Sequence, residues 1–154
     1  MSRVIFMCGP AGAGKTTYAR ELERAGMIRL SFDAEMWQRG ISAAHPPAAD
    51  REQVEQELRV RLVELVVACH DVVLDFAFCS RLTRDDYRAL LEPTGVVPET
   101  VYLATDRDTV LERMRRRRGA HADDIELGEE VVMNYFDHFE PPTPGEGPLT
   151  VIAP

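Results

Sequence analysis

One segment near the N-terminus constrains this chain more than any other. Residues 3–8 form a short apolar run, Gly9-Pro10-Ala11-Gly12-Ala13-Gly14-Lys15-Thr16 follows, and Ala19, Leu22 and Ala25 then recur at helical spacing before Gly26. The order is strand, glycine-rich loop, helix. The loop satisfies the spacing glycine, four residues, glycine, lysine, serine or threonine, which chance produces in a chain of this composition in roughly 3 of 10,000 cases. Glycine lets backbone N–H groups curl around phosphate oxygens with no side chain in the way. The helix that begins near Lys15 turns the positive end of its dipole on the same anion. Lys15 suits the β- and γ-phosphates of a nucleoside triphosphate, and the Thr16 hydroxyl suits Mg2+. The expected nucleotide-binding residues are therefore Gly9, Ala11, Gly12, Ala13, Gly14, Lys15, Thr16 and Thr17.

The rest of the chain keeps the same rhythm. Apolar runs at 28–32, 71–76, 101–104 and 149–152 read as strands, and 71–76 is apolar enough to be covered on both faces. Helical periodicity over 50–69 places Val54, Leu58, Leu62, Leu65, Val66 and Cys69 on one face. Thr83 with Asp86, and Thr105 with Asp108, have the spacing of capping boxes and predict two more helix starts. A last helix over 129–139 carries Tyr135, Phe136 and Phe139 on one side. Strands alternating with helices predict an α/β fold, a five-stranded parallel sheet wrapped on both faces, in one domain over residues 1–154.

Composition narrows the partners. With 26 acidic against 18 basic residues the net charge is -8, which disfavours a nonspecific nucleic-acid binder. No apolar run reaches the roughly 18–20 residues that span a bilayer, and the apolar start is too short for a signal-peptide core. Cys8, Cys69 and Cys79 match no zinc spacing, and the first two read as buried thiols of a reduced, cytoplasmic, soluble protein. Seventeen of the 18 basic residues are arginine, and the single lysine is Lys15. At that position a compact ammonium serves a phosphate as a point charge.

Carboxylates and arginines indicate the reaction. Asp33 follows the second strand, on the sheet edge where the phosphate loop also lies. There it can accept the proton of a hydroxyl that attacks a γ-phosphate, or it can cap a helix over 34–39. Asp75 closes the third strand, the position of a carboxylate that holds Mg2+ or orients an acceptor. Five of the six residues 113–118 are arginine, and Arg113 and Arg117 share a helix face, so a lid over about 113–128 is expected to bring charge to the triphosphate. A solvated basic helix end is the plainer alternative. Arg81 and Arg84 either reach substrate or pair with Asp85 and Asp86 on the surface, and Trp37 with residues 40–49 either lines an acceptor pocket or packs. The four histidines show no metal spacing, and the acidic stretch at 123–130 reads as a solvated face.

Residues 9–17, Ser31-Phe32-Asp33, residues 72–84, the Arg113 and Arg117 spacing and Phe139-Glu140-Pro141-Pro142 together resemble a group of small P-loop kinases. That group contains polynucleotide 5′-hydroxyl kinases, zeta-toxin-like kinases and chloramphenicol phosphotransferase-like proteins, many of them termed AAA-type ATP-binding proteins. The resemblance implies adenylate-kinase-like topology, ATP (GTP is also allowed) and Mg2+ as cofactors, and transfer to an acceptor hydroxyl. It implies Asp33 as the activating base, Asp75 as a substrate or metal carboxylate, and Arg113 and Arg117 in the lid. Polynucleotide kinases carry an arginine three residues after the base, where this chain has Met36. The expected acceptor is therefore a small molecule (metabolite, antibiotic or sugar-like) rather than nucleic acid. A nucleotide-dependent switch or weak ATPase working through a protein partner is the alternative, a polynucleotide 5′-hydroxyl kinase is the third reading, and the oligomeric state is left open.

Overall fold

The computed structural model describes residues 2–10, 13–41, 47–116 and 129–153, apart from the side chains of Met114, Glu129, Val131 and Val132. Its strands are β1 (Val4–Cys8), β2 (Ile28–Ser31), β3 (Val72–Asp75), β4 (Glu99–Leu103) and β5 (Leu149–Ile152). Its helices are α1 (Lys15–Arg24), α2 (Phe32–Gln38), α3 (Ala48–Val67), α4 (Arg81–Leu91), α5 (Arg107–Arg116) and α6 (Glu129–His138). The strands form one wholly parallel sheet in the order β2-β3-β1-β4-β5.

The middle strand shows why the sheet is covered twice. Every residue of β1 is buried. Successive side chains of an extended strand point to opposite faces. Val4, Phe6 and Cys8 accordingly join Leu30, Met36, Leu58, Leu62 and Tyr87 in one layer, while Ile5 and Met7 join Ala19, Met27, Val73 and Val101 in the other. The long helix α3 buries Val54, Leu58, Leu62 and Val66, one residue per turn, against the first layer. Parallel strands bring their carboxyl ends to one edge, and the register aligns Ser31 with Asp75 and Cys8 with Tyr102 there.

Local details depart from the sequence expectations at four places. The cap of α4 is Ser80, whose hydroxyl accepts from the Thr83 amide at 3.1 Å, so Thr83 and Asp86 lie inside the helix. Asp106 rather than Thr105 accepts the first-turn amide of α5, from Thr109 at 2.8 Å. β2 stops at Ser31, and Ser31 caps α2 through the Ala34 amide. Cys69 is exposed, because α3 ends at Val67 and Cys69 sits in a left-handed turn with φ 66° that carries its side chain off the apolar stripe. Cys8 is buried as expected, and burial pushes its thiol up to about 11 against the pull of Arg84 and Lys15.

Candidate active site

The loop between β1 and α1 is shaped by two glycines. Gly9 has φ 148°, and a Cβ there would stand 2.9 Å from the Leu103 carbonyl, so the close approach of β4 demands glycine. Gly14, with φ 96°, is the N-cap of α1 and supplies no side-chain cap. The first turn of α1 also holds no acidic residue, which leaves its dipole end open to an outside anion. The Ala13 amide donates to Pro10 O at 3.1 Å and closes the turn, and the Thr105 hydroxyl donates to Ala13 O at 3.4 Å. Ala11 and Gly12 lie outside the described residues.

Side chains from α1, β2 and β3 meet beside this loop. Lys15 Nζ donates to Gly9 O at 2.8 Å, and burial lowers its ammonium below the usual lysine value against the opposing pull of Asp75 and Asp33. Thr16 Oγ1 donates to Asp75 Oδ2 at 2.9 Å. Asp75 is buried and also accepts from Arg29, at 3.2 Å from Nε and 3.0 Å from Nη2. Thr17 is exposed at the start of α1. Arg29 was not singled out from the sequence. Its signal is a cation placed inside a strand whose neighbours Ile28 and Leu30 are apolar, which calls for a buried partner.

Asp33 lies in the first turn of α2. Ser31 already performs the capping, so the structural role considered for Asp33 is taken. Burial raises the Asp33 carboxyl above the usual carboxylate range; Lys15 opposes that shift, Asp75 reinforces it and Arg29 opposes it. These four charges therefore share one field. In the same helix Met36 is fully buried in the core and Trp37 is about half exposed.

The arginines separate. Arg113 reaches the loop: a Cβ on Gly14 would be 3.9 Å from its Nη1. Arg117 and most of the expected lid lie outside the described residues. Arg116 pairs with Glu112 on the exposed helix surface. Arg81 is exposed and pairs with Asp85 one turn along, at 3.3 Å. Arg84 is turned into the core rather than toward solvent. It is fully buried, donating to Glu146 from Nε at 2.9 Å and to Phe78 O from Nη1 at 2.9 Å. A guanidinium so buried and so paired is spent on structure. Its bond to Phe78 holds a bulky residue at φ 44°, on the loop that follows Asp75.

Tyr135, read from sequence only as an apolar-face residue, proves to touch the loop. Its hydroxyl is 3.0 Å from Gly9 O and 3.3 Å from Ala77 O. Among the described residues no group of three or more metal-ligating side chains assembles, and no helix is long and apolar enough to cross a membrane. His45, His121 and residues 123–128 of the acidic stretch fall outside the described residues.

Comparison with known proteins agrees with this geometry. No curated protein matches the sequence. Among solved structures, a sugar kinase from Janibacter sp. shares 21% identity with a TM-score of 0.68, covering 99% of this chain and 86% of its own. A gluconokinase from Sinorhizobium meliloti shares 20% identity, with a TM-score of 0.67 and coverage of 99% and 82%. The Mycobacterium tuberculosis APS kinase, solved with AMPPNP and APS, shares 17% identity, with a TM-score of 0.67 and coverage of 99% and 88%. The fold is thus that of the P-loop kinases, the nucleoside triphosphate hydrolase fold. With the AAA domain model matching residues 4–142, nearly its whole length, the chain belongs to the AAA domain family.

Proposed function

We propose that this protein is an ATP-dependent phosphotransferase that moves the γ-phosphate to a hydroxyl of a small molecule. The observation that carries the reading is Asp33: a carboxylate relieved of capping by Ser31, set in one field with Lys15 and Asp75, with its proton affinity raised by burial. A base so tuned accepts the proton of an attacking hydroxyl more readily than an ordinary aspartate. Lys15 and the open end of α1 bind the phosphates, and Arg113 supplies positive charge beside the loop where charge develops in transfer. Arg117 is proposed to join it from the lid over residues 113–128.

Mg2+ fits the donor set, since the Thr16 hydroxyl and the Asp75 carboxylate are hard oxygen donors 2.9 Å apart at the helix N-terminus. When bound, the ion supplies neutralisation of phosphate charge. Asp75 alternatively orients the acceptor, and Trp37 and Arg81 are proposed to contact it. A small acceptor is supported by the net charge of -8, by the apolar, buried Met36, and by the sugar kinase and gluconokinase among similar structures. A cytoplasmic location is proposed with it.

The test is transfer from labelled ATP to a panel of sugars, antibiotics and a 5′-hydroxyl oligonucleotide. Asp33→Asn is expected to lower transfer by roughly 10²–10⁴ while ADP affinity stays nearly intact. Full activity in that variant refutes the base. Labelling of the oligonucleotide alone refutes the acceptor class. ATP loss with no labelled acceptor favours the nucleotide switch.

A further inference from the structure

The Gly9 carbonyl faces two donors, one from α1 and one from α6. Lys15 Nζ is at 2.8 Å and Tyr135 Oη at 3.0 Å. Tyr135 faces a second carbonyl as well, Ala77 O at 3.3 Å. A phenol has one proton and serves one of these acceptors at a time. The two acceptors differ in what water can do for them. Ala77 is exposed, so water can replace a lost donor there, whereas Gly9 is buried.

Nucleotide phosphates compete for the Lys15 ammonium. When Lys15 turns to them, the Gly9 carbonyl keeps a donor only if Tyr135 provides it. A buried acceptor stripped of its donor carries a desolvation penalty that would count against binding. We propose that Tyr135 is a positioning residue for nucleotide binding, whose hydroxyl takes over the Gly9 carbonyl as Lys15 passes to the phosphates. This rests on the nucleotide-binding reading above.

The fold is built to hold that hydroxyl in place. The Tyr135 ring stacks on Phe139 with centroids 5.6 Å apart and an interplanar angle of 20°. Phe139 in turn packs on Tyr102 of β4 at 5.7 Å, and Tyr102 is in register with Cys8, next to Gly9. The hydroxyl is thereby fixed to the sheet edge through rings rather than through a floppy side chain. Burial also raises the phenol above its usual value, so it remains a donor. Moving the proton between the two carbonyls needs only rotation of the O–H bond.

A double-mutant cycle tests this with ADP, its affinity measured by titration calorimetry. Tyr135→Phe keeps the stacked ring and removes only the hydroxyl, so the melting temperature without nucleotide is expected to stay within roughly 2 °C. With Lys15 present, Tyr135→Phe is expected to raise the ADP dissociation constant about tenfold. In a Lys15→Met background there is no ammonium to hand over, and Tyr135 serves Gly9 before and after binding alike. There the same substitution is expected to change affinity less than about twofold. An equal loss in both backgrounds means that Tyr135 only packs and overturns the proposal, as does no loss with Lys15 present. Failure of the wild-type chain to bind ADP overturns the nucleotide reading itself, an outcome distinct from either.

Discussion

Replacing Glu146 by glutamine removes the one negative charge from a buried cluster that holds two arginines. The Glu146 side chain is 2% exposed and Arg84 is 0% exposed. Its Oε1 accepts from Arg84 Nε at 2.9 Å and Arg88 Nη1 at 3.2 Å, and its Oε2 from the Thr143 amide at 2.9 Å. Burial alone would raise this carboxyl, but the hydrogen bonds and charges of Arg84, Thr143 and Arg88 overcome it and bring it from 4.5 to about 2. A folded-state value below the unfolded one means stability that is complete above pH 4.5 and lost as the pH falls through about 2. A fall from 4.5 to about 2 corresponds to about 3 kcal/mol. That is a large part of the 5–15 kcal/mol that typically holds a domain together. Glu146→Gln keeps the shape and one carbonyl acceptor, so the loss it causes reports charge. The expected result is a melting temperature lower by roughly 6–12 °C at pH 7. Urea unfolding followed from pH 7 to pH 2 then shows the gap between wild type and variant closing below pH 4.5. A gap that stays constant over that range would refute the linkage and assign the loss to packing. Absence of any gap at pH 7 would refute the network's contribution altogether.

Two further outcomes concern the site. Arg113→Ala is expected to reduce phosphoryl transfer by a factor on the order of 10³ while ADP binding falls much less, because charge beside Gly14 matters most where charge develops; an equal loss in both measurements would make Arg113 a ground-state binder only. Lysine-selective acylation is expected to reach Lys15 and the N-terminal amine alone, to act on Lys15 at a lower pH than on an ordinary lysine because burial lowers its ammonium, and to slow when ATP is added. Equal rates with and without ATP would remove Lys15 from the nucleotide site.

What could be read from the sequence was local chemistry, and what could not was pairing across distance. β1 and β3 are apolar at nearly every position, so a doubly covered parallel sheet follows from them without any tertiary information. The phosphate loop is legible because glycines, lysine and threonine must sit at fixed offsets between a strand and a helix. Helix starts were misplaced where two cap patterns overlap: Ser80 and Thr83 are three apart, and only the folded backbone selects Ser80. Arg84 resembled a surface or substrate cation because its partner Glu146 lies 62 residues away. Tyr135 meets Gly9 over 126 residues, and nothing in the spacing of α6 signals it. Arg29 was the nearest to recoverable, since a charge inside a short apolar strand announces that a counter-charge faces it.

The same long-range pairings set the electrostatics of the candidate site. Lys15 and Arg29 bring two positive charges to the sheet edge, and Asp33 and Asp75 bring two negative ones. The quartet is neutral as built, which lets it be partly buried without a large penalty. The carboxylates differ in how they are held: Asp75 accepts hydrogen bonds from Arg29 directly, whereas Lys15 and Arg29 both act on Asp33 through their field. A nucleoside triphosphate brings several negative charges and draws Lys15 toward them. The counter-charge on Asp33 then weakens just as phosphate anions arrive nearby, and both changes raise its proton affinity further. Asp75 keeps its direct hydrogen bonds from Arg29. In the proposed reaction nucleotide binding thus separates the two carboxylates chemically: Asp33 gains proton affinity, and Asp75 stays tied by hydrogen bonds to Arg29 and Thr16. The proposed distinction between a base and an orienting carboxylate comes from which of the two a guanidinium holds by direct hydrogen bonds.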